Sequence, residues 1–196
     1  KPSSAGSDVY KRQHLTGHSI RKRQSKGREE VILHCHPPEF IILSFLMPLD
    51  SSLVSLALWK TMPECIVFFP DGIRVVPPIL PGTSNIADAS AIELEKSRII
   101  SWSHHGIFVS EESPDAVFSL VETIEKASAM QRKIIAAGGA KQTISLQLLR
   151  ELTDATETLA TSTLELVSAK FTSTFCNLTV MLLVFDSYPI YDAFTE

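Results

Sequence analysis

The run Val31-Ile-Leu-His-Cys-His36, stopped by Pro37-Pro38, decides how the rest of the chain is read. β-branched and apolar residues ahead of a proline pair predict a strand followed directly by a helix, because proline ends a strand and is well accommodated in a first helical turn. Successive strand side chains point to opposite faces. Val31, Leu33 and Cys35 therefore share one face, while Ile32, His34 and His36 share the other. Two imidazoles on one face can grip a single cation from the same side, and neutral imidazole is a preferred ligand for Zn²⁺. Structural or surface histidines would show the same spacing, so the pair alone does not define a metal site. A third ligand could come from His104-His105 beside Gly106, and spacing does not choose between those two. Cys35 points to the apolar face and reads as a small core residue.

Working outward, the chain predicts a helix from Glu39 to Met47 and a second, capped by Ser51 or Ser52, to Lys60. Glu64-Cys-Ile-Val-Phe-Phe69 reads as a strand closed by the turn Pro70-Asp71-Gly72, with Arg74-Val-Val76 as its partner. Thr83 or Ser84 caps a helix to about Lys96. Two short strands, Arg98 to Trp102 and Gly106 to Val109, meet at the second histidine pair. Ser113-Pro114-Asp115 is a helix start, and Ala116, Leu120, Ile124 and Ala127 recur at helical spacing until Gly138-Gly139. Ser145 opens a last helix through Leu152. Upstream, His14 to Arg28 fits a short exposed helix, and residues 1–13 read as a disordered leader. Strands interleaved with helices place the fold in the α/β or α+β group. Residues 153–196 are Thr-rich and then Phe-rich with no amphipathic period, a divergent tail beyond the domain expected over 14–152.

Composition narrows the function. The chain has 196 residues, 44% of them apolar and 20% charged, enough apolar character to bury a core. Three cysteines (Cys35, Cys65 and Cys176) are too few for a disulfide-stapled secreted domain and suggest a reducing, cytoplasmic setting. The apolar run Leu178 to Phe185 is far shorter than the roughly twenty residues of a spanning helix, so no membrane partner is expected. The first thirty residues carry eight Lys and Arg against three acids, but the whole chain has a net charge of −4. An acidic body repels phosphate chains, so nucleic acid is excluded as a partner. His14 and His18, four apart on a helix with no acid beside them, read as surface. Glu64 could act as a general acid or base if partly buried; otherwise it is a solvated strand-end carboxylate. Lys141-Gln142-Thr143 could line a phosphate site or simply join two helices.

Read together, Val31-Ile-Leu-His-Cys-His36, Glu64-Cys-Ile-Val-Phe-Phe-Pro-Asp-Gly72, Pro81-Gly-Thr83, His105-Gly-Ile-Phe108 and Gly138-Gly-Ala-Lys-Gln-Thr-Ile-Ser145 closely resemble the zinc-dependent class II aldolase/adducin family. The likeness runs from about His14 to Leu152 and is nearest to members that act on rhamnulose phosphate. It implies a three-layer α/β/α fold around a mainly antiparallel sheet, incomplete here, in four-fold homotetramers. It implies a zinc aldolase splitting L-rhamnulose 1-phosphate into dihydroxyacetone phosphate and L-lactaldehyde, with Zn²⁺ as the Lewis acid that stabilises the enediolate. The family's three zinc ligands fall on His34, His36 and His105, the last because it directly precedes the glycine of the family's His-Gly motif. Glu64 matches a carboxylate that reaches a neighbouring subunit's site for proton transfer.

Two departures bear on activity. The family's catalytic glutamate lies four residues before the histidine matching His14, and Tyr10 stands there. A phenol with a pKa near 10 is a poor carboxylate substitute. The segment that holds the substrate phosphate in the family lies upstream and has no counterpart here. The expectation is therefore a metal-site fragment with little or no turnover of its own. The alternatives are a fuculose-phosphate type aldolase or epimerase, and a non-catalytic adducin-like interaction module without bound zinc.

Overall fold

The computed structural model describes residues 4–80 and 83–155. Eleven elements follow in order: α1 (Ser4–Gln24), β1 (Val31–Cys35), α2 (Pro38–Leu46), α3 (Ser51–Thr61), α4 (Glu64–Phe68), β2 (Arg74–Val76), α5 (Ser84–Leu94), β3 (Ile99–Trp102), β4 (Gly106–Glu111), α6 (Pro114–Ala136) and α7 (Leu146–Ala155). The four strands form one sheet in the order β1-β4-β3-β2. β4 pairs antiparallel with both β1 and β3, while β2 joins β3 in parallel.

Strand alternation sorts the core into two layers. Ile99, Ile107 and Val109 face a cluster shared with α2, α3, α4, α6 and α7, against which Val31, Leu33 and Cys35 also pack. Ile100, Trp102 and Phe108 face the opposite way, toward Ile20 of α1 and Ile86 and Leu94 of α5, with Ile32 alongside. The result is a three-layer α/β/α arrangement. Arg21 fastens α1 to this second layer: it is buried, forks onto the Glu29 carboxylate at 2.8 and 2.7 Å, and donates to the Leu94 carbonyl at 2.8 Å. A buried guanidinium needs several acceptors, and this one has them.

Local signals explain most element ends. The Ser113 hydroxyl accepts from Ala116 N–H at the start of α6, and Gly138 and Gly139, at φ +87° and +96°, stop it. α2 lacks a cap from Pro37; instead Glu125 of α6 accepts from the Glu39 and Phe40 N–H groups. α3 is capped by Asp50 rather than by Ser51 or Ser52.

Three expectations are corrected. The expected strand over 64–69 is the helix α4. Pro63 sits in αR geometry ahead of it, and the buried residues Cys65, Ile66 and Phe69 follow helical spacing rather than alternation. Arg74–Val76 accordingly pairs with β3. Helix α1 already runs from Ser4, so residues 4–13 are helical where a disordered leader was expected; no proline or glycine breaks the turns between Gly6 and His14. The tail from residue 156 onward lies outside the described residues. Among those described, no single helix is long and apolar enough to cross a membrane.

Candidate metal centre

The histidines of β1 and of the β3–β4 turn converge on the face of the sheet that carries α1 and α5. Alternation puts His34 on that face, and His36, one residue past the strand end, stays on the same side. β4 lies next to β1, with His34 opposite Phe108 and Cys35 opposite Ile107, so the turn before Gly106 arrives beside His36. One ring nitrogen from each of His34, His36 and His105 can be chosen so that all three lie within 4.8 Å of one another. The ring centroids are 4.7, 5.1 and 4.9 Å apart. His104 is not among them. It points to α2, where its Nδ1 meets the Ser44 hydroxyl at 3.1 Å and its ring stacks on Phe45.

Surrounding groups fix the orientation of these imidazoles. Nδ1–H of His34 donates to the Ile107 carbonyl at 2.9 Å, which leaves its Nε2 as the free lone pair. That Nε2 lies 3.0 Å from Nε2 of His36. Trp102 forms the floor: its ring lies 4.4 Å from His34 and 5.5 Å from His105, while its indole N–H donates to Ser90 at 2.8 Å. Gly106 allows the close approach. A Cβ there would stand 2.4 Å from the Cys35 carbonyl oxygen and 2.8 Å from the His36 ring.

Burial lowers the pKa of His34 to about 4, against the hydrogen bond to Ile107 and with help from His36, His105 and His14. It also lowers that of His105, with His36 adding to the effect. Both imidazoles are therefore neutral at physiological pH, the form that binds metal. His105 Nδ1 is buried without a hydrogen-bond partner. His36 is exposed and the other two are half-buried, so the cluster is open on one side. Three imidazole nitrogens with an open fourth direction form a donor set suited to a divalent cation such as Zn²⁺.

The remaining candidates are distributed unevenly. Tyr10 lies one turn before His14 on α1. His14 is not a free surface residue: it is half-buried with its ring 5.2 Å from Phe108, and burial, then His18, lowers its pKa. Glu64 is exposed at the start of α4, in the opposite layer, and does not join the triad of its own chain. Gln142 and Thr143 line a cleft of about 700 Å³ with Lys60 and Gln131, also in that opposite layer. Sequence reasoning missed Trp102 and Ser44. Trp102 was detectable as the aromatic two residues from Ile100 on a strand, hence on one face with it. Ser44 carried no signal.

The profile of the Class II Aldolase and Adducin N-terminal domain matches residues 24–132, more than half of the chain. The chain belongs to this family. It is 38% identical over 136 residues to a rhamnulose-1-phosphate aldolase from Pectobacterium atrosepticum, an alignment covering 69% of this chain and 50% of that protein. A rhamnulose-1-phosphate aldolase from Escherichia coli is 37% identical over the same coverage. The chain thus spans about half the length of these curated relatives. Among solved structures, a sugar-phosphate aldolase from Thermotoga maritima superposes with a TM-score of 0.58 at 24% identity, over 66% of this chain and 54% of that one. An L-fuculose 1-phosphate aldolase superposes at 0.51 and 19% identity, over 74% and 63%. These likenesses establish the class II aldolase fold.

Proposed function

We propose that this chain carries the metal centre of a zinc-dependent aldolase that cleaves L-rhamnulose 1-phosphate into dihydroxyacetone phosphate and L-lactaldehyde. The observation that carries the reading is the convergence of His34, His36 and His105, with donor nitrogens within 4.8 Å, in a member of the class II family. His34, His36 and His105 would hold the ion, each offering one imidazole nitrogen. Bound there, the cation acts as a Lewis acid for oxyanion charge that develops when the bond beside a ketose carbonyl breaks. The chain's own groups do the rest. Ile107 holds the His34 tautomer, the Trp102 floor keeps the rings in place, and the exposed side of His36 admits the sugar phosphate.

Proton transfer divides between two positions. Glu64 lies in the layer away from its own triad, which fits a role in a neighbouring subunit's site within a homotetramer. Tyr10 occupies the family's base position, and a phenol remains protonated near neutral pH. Turnover by this chain is accordingly weak. Sugar phosphates are made and kept inside the cell, so we place the protein in the cytoplasm.

Competition titration with a chromogenic chelator and a coupled assay for dihydroxyacetone phosphate test the reading. One Zn²⁺ per chain, faint activity on L-rhamnulose 1-phosphate in preference to L-fuculose 1-phosphate, and a gain in kcat for Tyr10→Glu are expected. If the chain binds no stoichiometric zinc and the His34→Ala/His36→Ala/His105→Ala variant melts unchanged, the non-catalytic interaction module is the correct description.

A further inference from the structure

The geometry points to Ser44, with His104, as a latch on α2 that positions the third metal nitrogen: the non-ligand histidine of the pair sets where its neighbour His105 can go. This inference rests on the metal-centre reading above.

His104 is one of two non-glycine residues with positive φ among the described residues, at +63°. Left-handed backbone is disfavoured for residues with a Cβ, with histidine, asparagine and aspartate enriched among the exceptions. At this place in the chain it has a clear consequence. One residue in αL between Ser103 and His105 reverses the chain within a tight turn closed by His105 N–H donating to the Trp102 carbonyl at 2.9 Å. The two histidine side chains are thereby sent to different elements, His105 to the triad and His104 to α2.

Three contacts hold His104 in that conformation. Its backbone N–H donates to Ser44 Oγ at 3.1 Å, its Nδ1 meets the same hydroxyl at 3.1 Å, and its ring stacks on Phe45 with centroids 4.1 Å apart and planes inclined by 28°. Ser44 in turn donates to the Ile41 carbonyl at 2.7 Å, so α2 fixes the rotamer of the hydroxyl itself. That donation commits the Ser44 hydrogen to Ile41, so Nδ1–H of His104 is the donor in the side-chain contact. The residues on either side are held as well. Ser103 donates from both its N–H and its hydroxyl to the Val76 carbonyl, and Gly106 is pressed against Cys35. Ser103 and Gly106 anchor the turn to the sheet; the α2 contacts are what restrain its apex.

An apex held before the cation arrives need not be ordered by it. Loss of the latch therefore weakens the metal site without touching a ligand, as outer-shell partners of metal-binding histidines generally do. Ser44 and His104 are thus positioning residues. α2 begins two residues after His36, so one short segment serves both sides of the triad.

The test uses the full chain with Zn²⁺ in chelator competition and Co²⁺ as a spectroscopic probe. Ser44→Ala and His104→Ala are expected to weaken zinc on the order of tenfold while secondary structure is retained, since outer-shell losses have this size. The Co²⁺ d–d bands are expected to lose intensity as the centre departs from a tetrahedral three-histidine geometry. Ser44→Thr, which keeps the hydroxyl, and His104→Asn, which keeps both the αL tolerance and a donor, are expected to restore affinity and spectrum. Unchanged zinc affinity and cobalt spectrum in Ser44→Ala and His104→Ala would overturn the latch while leaving the metal reading intact. Failure of the wild-type chain to bind zinc would instead sink the metal reading on which the latch depends. If the alanine variants weaken zinc and the conservative variants do not restore it, the effect is general loosening of the turn, and the latch is refuted.

Discussion

Gly106→Ala probes the tightest glycine site among the described residues, where β4 enters beside the end of β1. The new methyl carbon would lie 2.4 Å from the Cys35 carbonyl oxygen, 2.8 Å from the His36 ring and 3.3 Å from the Cys35 carbonyl carbon. The nearest obstacle is backbone in a paired strand, which cannot swing aside as a long side chain can. Reaching a tolerable contact needs the strand ends to separate by at least about half an ångström, and overpacking of this kind costs typically about 1–3 kcal/mol. With backbone as the obstacle, the upper half of that range is expected. In a domain of this size it would lower the melting temperature by roughly 4–12 °C, taking about 2–4 °C per kcal/mol. The displacement also carries His36 away from His34 and His105, so zinc affinity falls together with stability. Gly138→Ala supplies the comparison: its φ is +87° and nothing lies within 4 Å of a Cβ there, leaving only the conformational cost of about 1–2 kcal/mol and no effect on metal. Urea titration gives the stability change and chelator competition the zinc affinity. Gly106→Ala with a wild-type midpoint and wild-type affinity would refute the argument that this glycine is required for the strands to meet.

Three further outcomes follow from the packing. Glu125→Ala leaves the Glu39 and Phe40 N–H groups at the start of α2 without their acceptor, and should cost about 1–3 kcal/mol in a urea titration; a change under 0.5 kcal/mol would mean that water caps the helix equally well. Trp102→Ala removes a buried indole from under His34 and His105 and leaves Ser90 without its donor, with an expected loss of about 3–5 kcal/mol; hydrogen exchange that is unchanged at β3 and β4 would contradict the floor assignment. Burial raises the pKa of Glu93, but hydrogen bonds from Lys96 at 2.8 Å and Arg74 at 2.6 Å outweigh it and hold the carboxyl below its ordinary 4.5. Its contribution to stability is thus present above pH 4.5 and is lost as the pH falls through the folded-state value; Glu93→Gln should flatten that acid limb of a stability–pH curve, and an unchanged slope would show the two bases contribute nothing there.

Legibility of the fold tracked the kind of signal each segment carried. Where a local chemical rule operates, the reading and the structure agree: Ser113-Pro114 starts α6, Gly138-Gly139 ends it, and alternation from Val31 to His36 divides the side chains between the two layers of the core. Glu64 to Phe69 failed because a short apolar run has no period long enough to separate a buried helix turn from a buried strand. The deciding contacts were tertiary, with Cys65, Ile66 and Phe69 all inserting into the cluster formed with α6. The cap on α2 was equally hidden, since its carboxylate comes from Glu125, 86 and 85 residues from the groups it serves.

The triad shows what sequence spacing can and cannot decide. A strand alone dictates that His34 and His36 share a face, because the period of two admits no other arrangement. Spacing alone leaves His104 and His105 open, and the resemblance favours His105; the physical reason lies in the backbone conformation between them. The αL geometry of His104 supplies it: with φ at +63°, the Ser44 contacts take one ring toward α2 and leave the other to face Trp102. His14 was misread for a related reason. Four residues from His18 on a helix with no acid beside it, it reads as surface, but Gly17 one turn on brings the helix against Phe108 and Ile32 so closely that a Cβ would stand 3.0 and 3.1 Å from them. That contact sets α1 down on the sheet, with His14 over Phe108 and Tyr10 one turn earlier on the same helix. Where residue 10 sits therefore depends on the seating of α1, and that seating depends on a glycine that polarity patterns pass over.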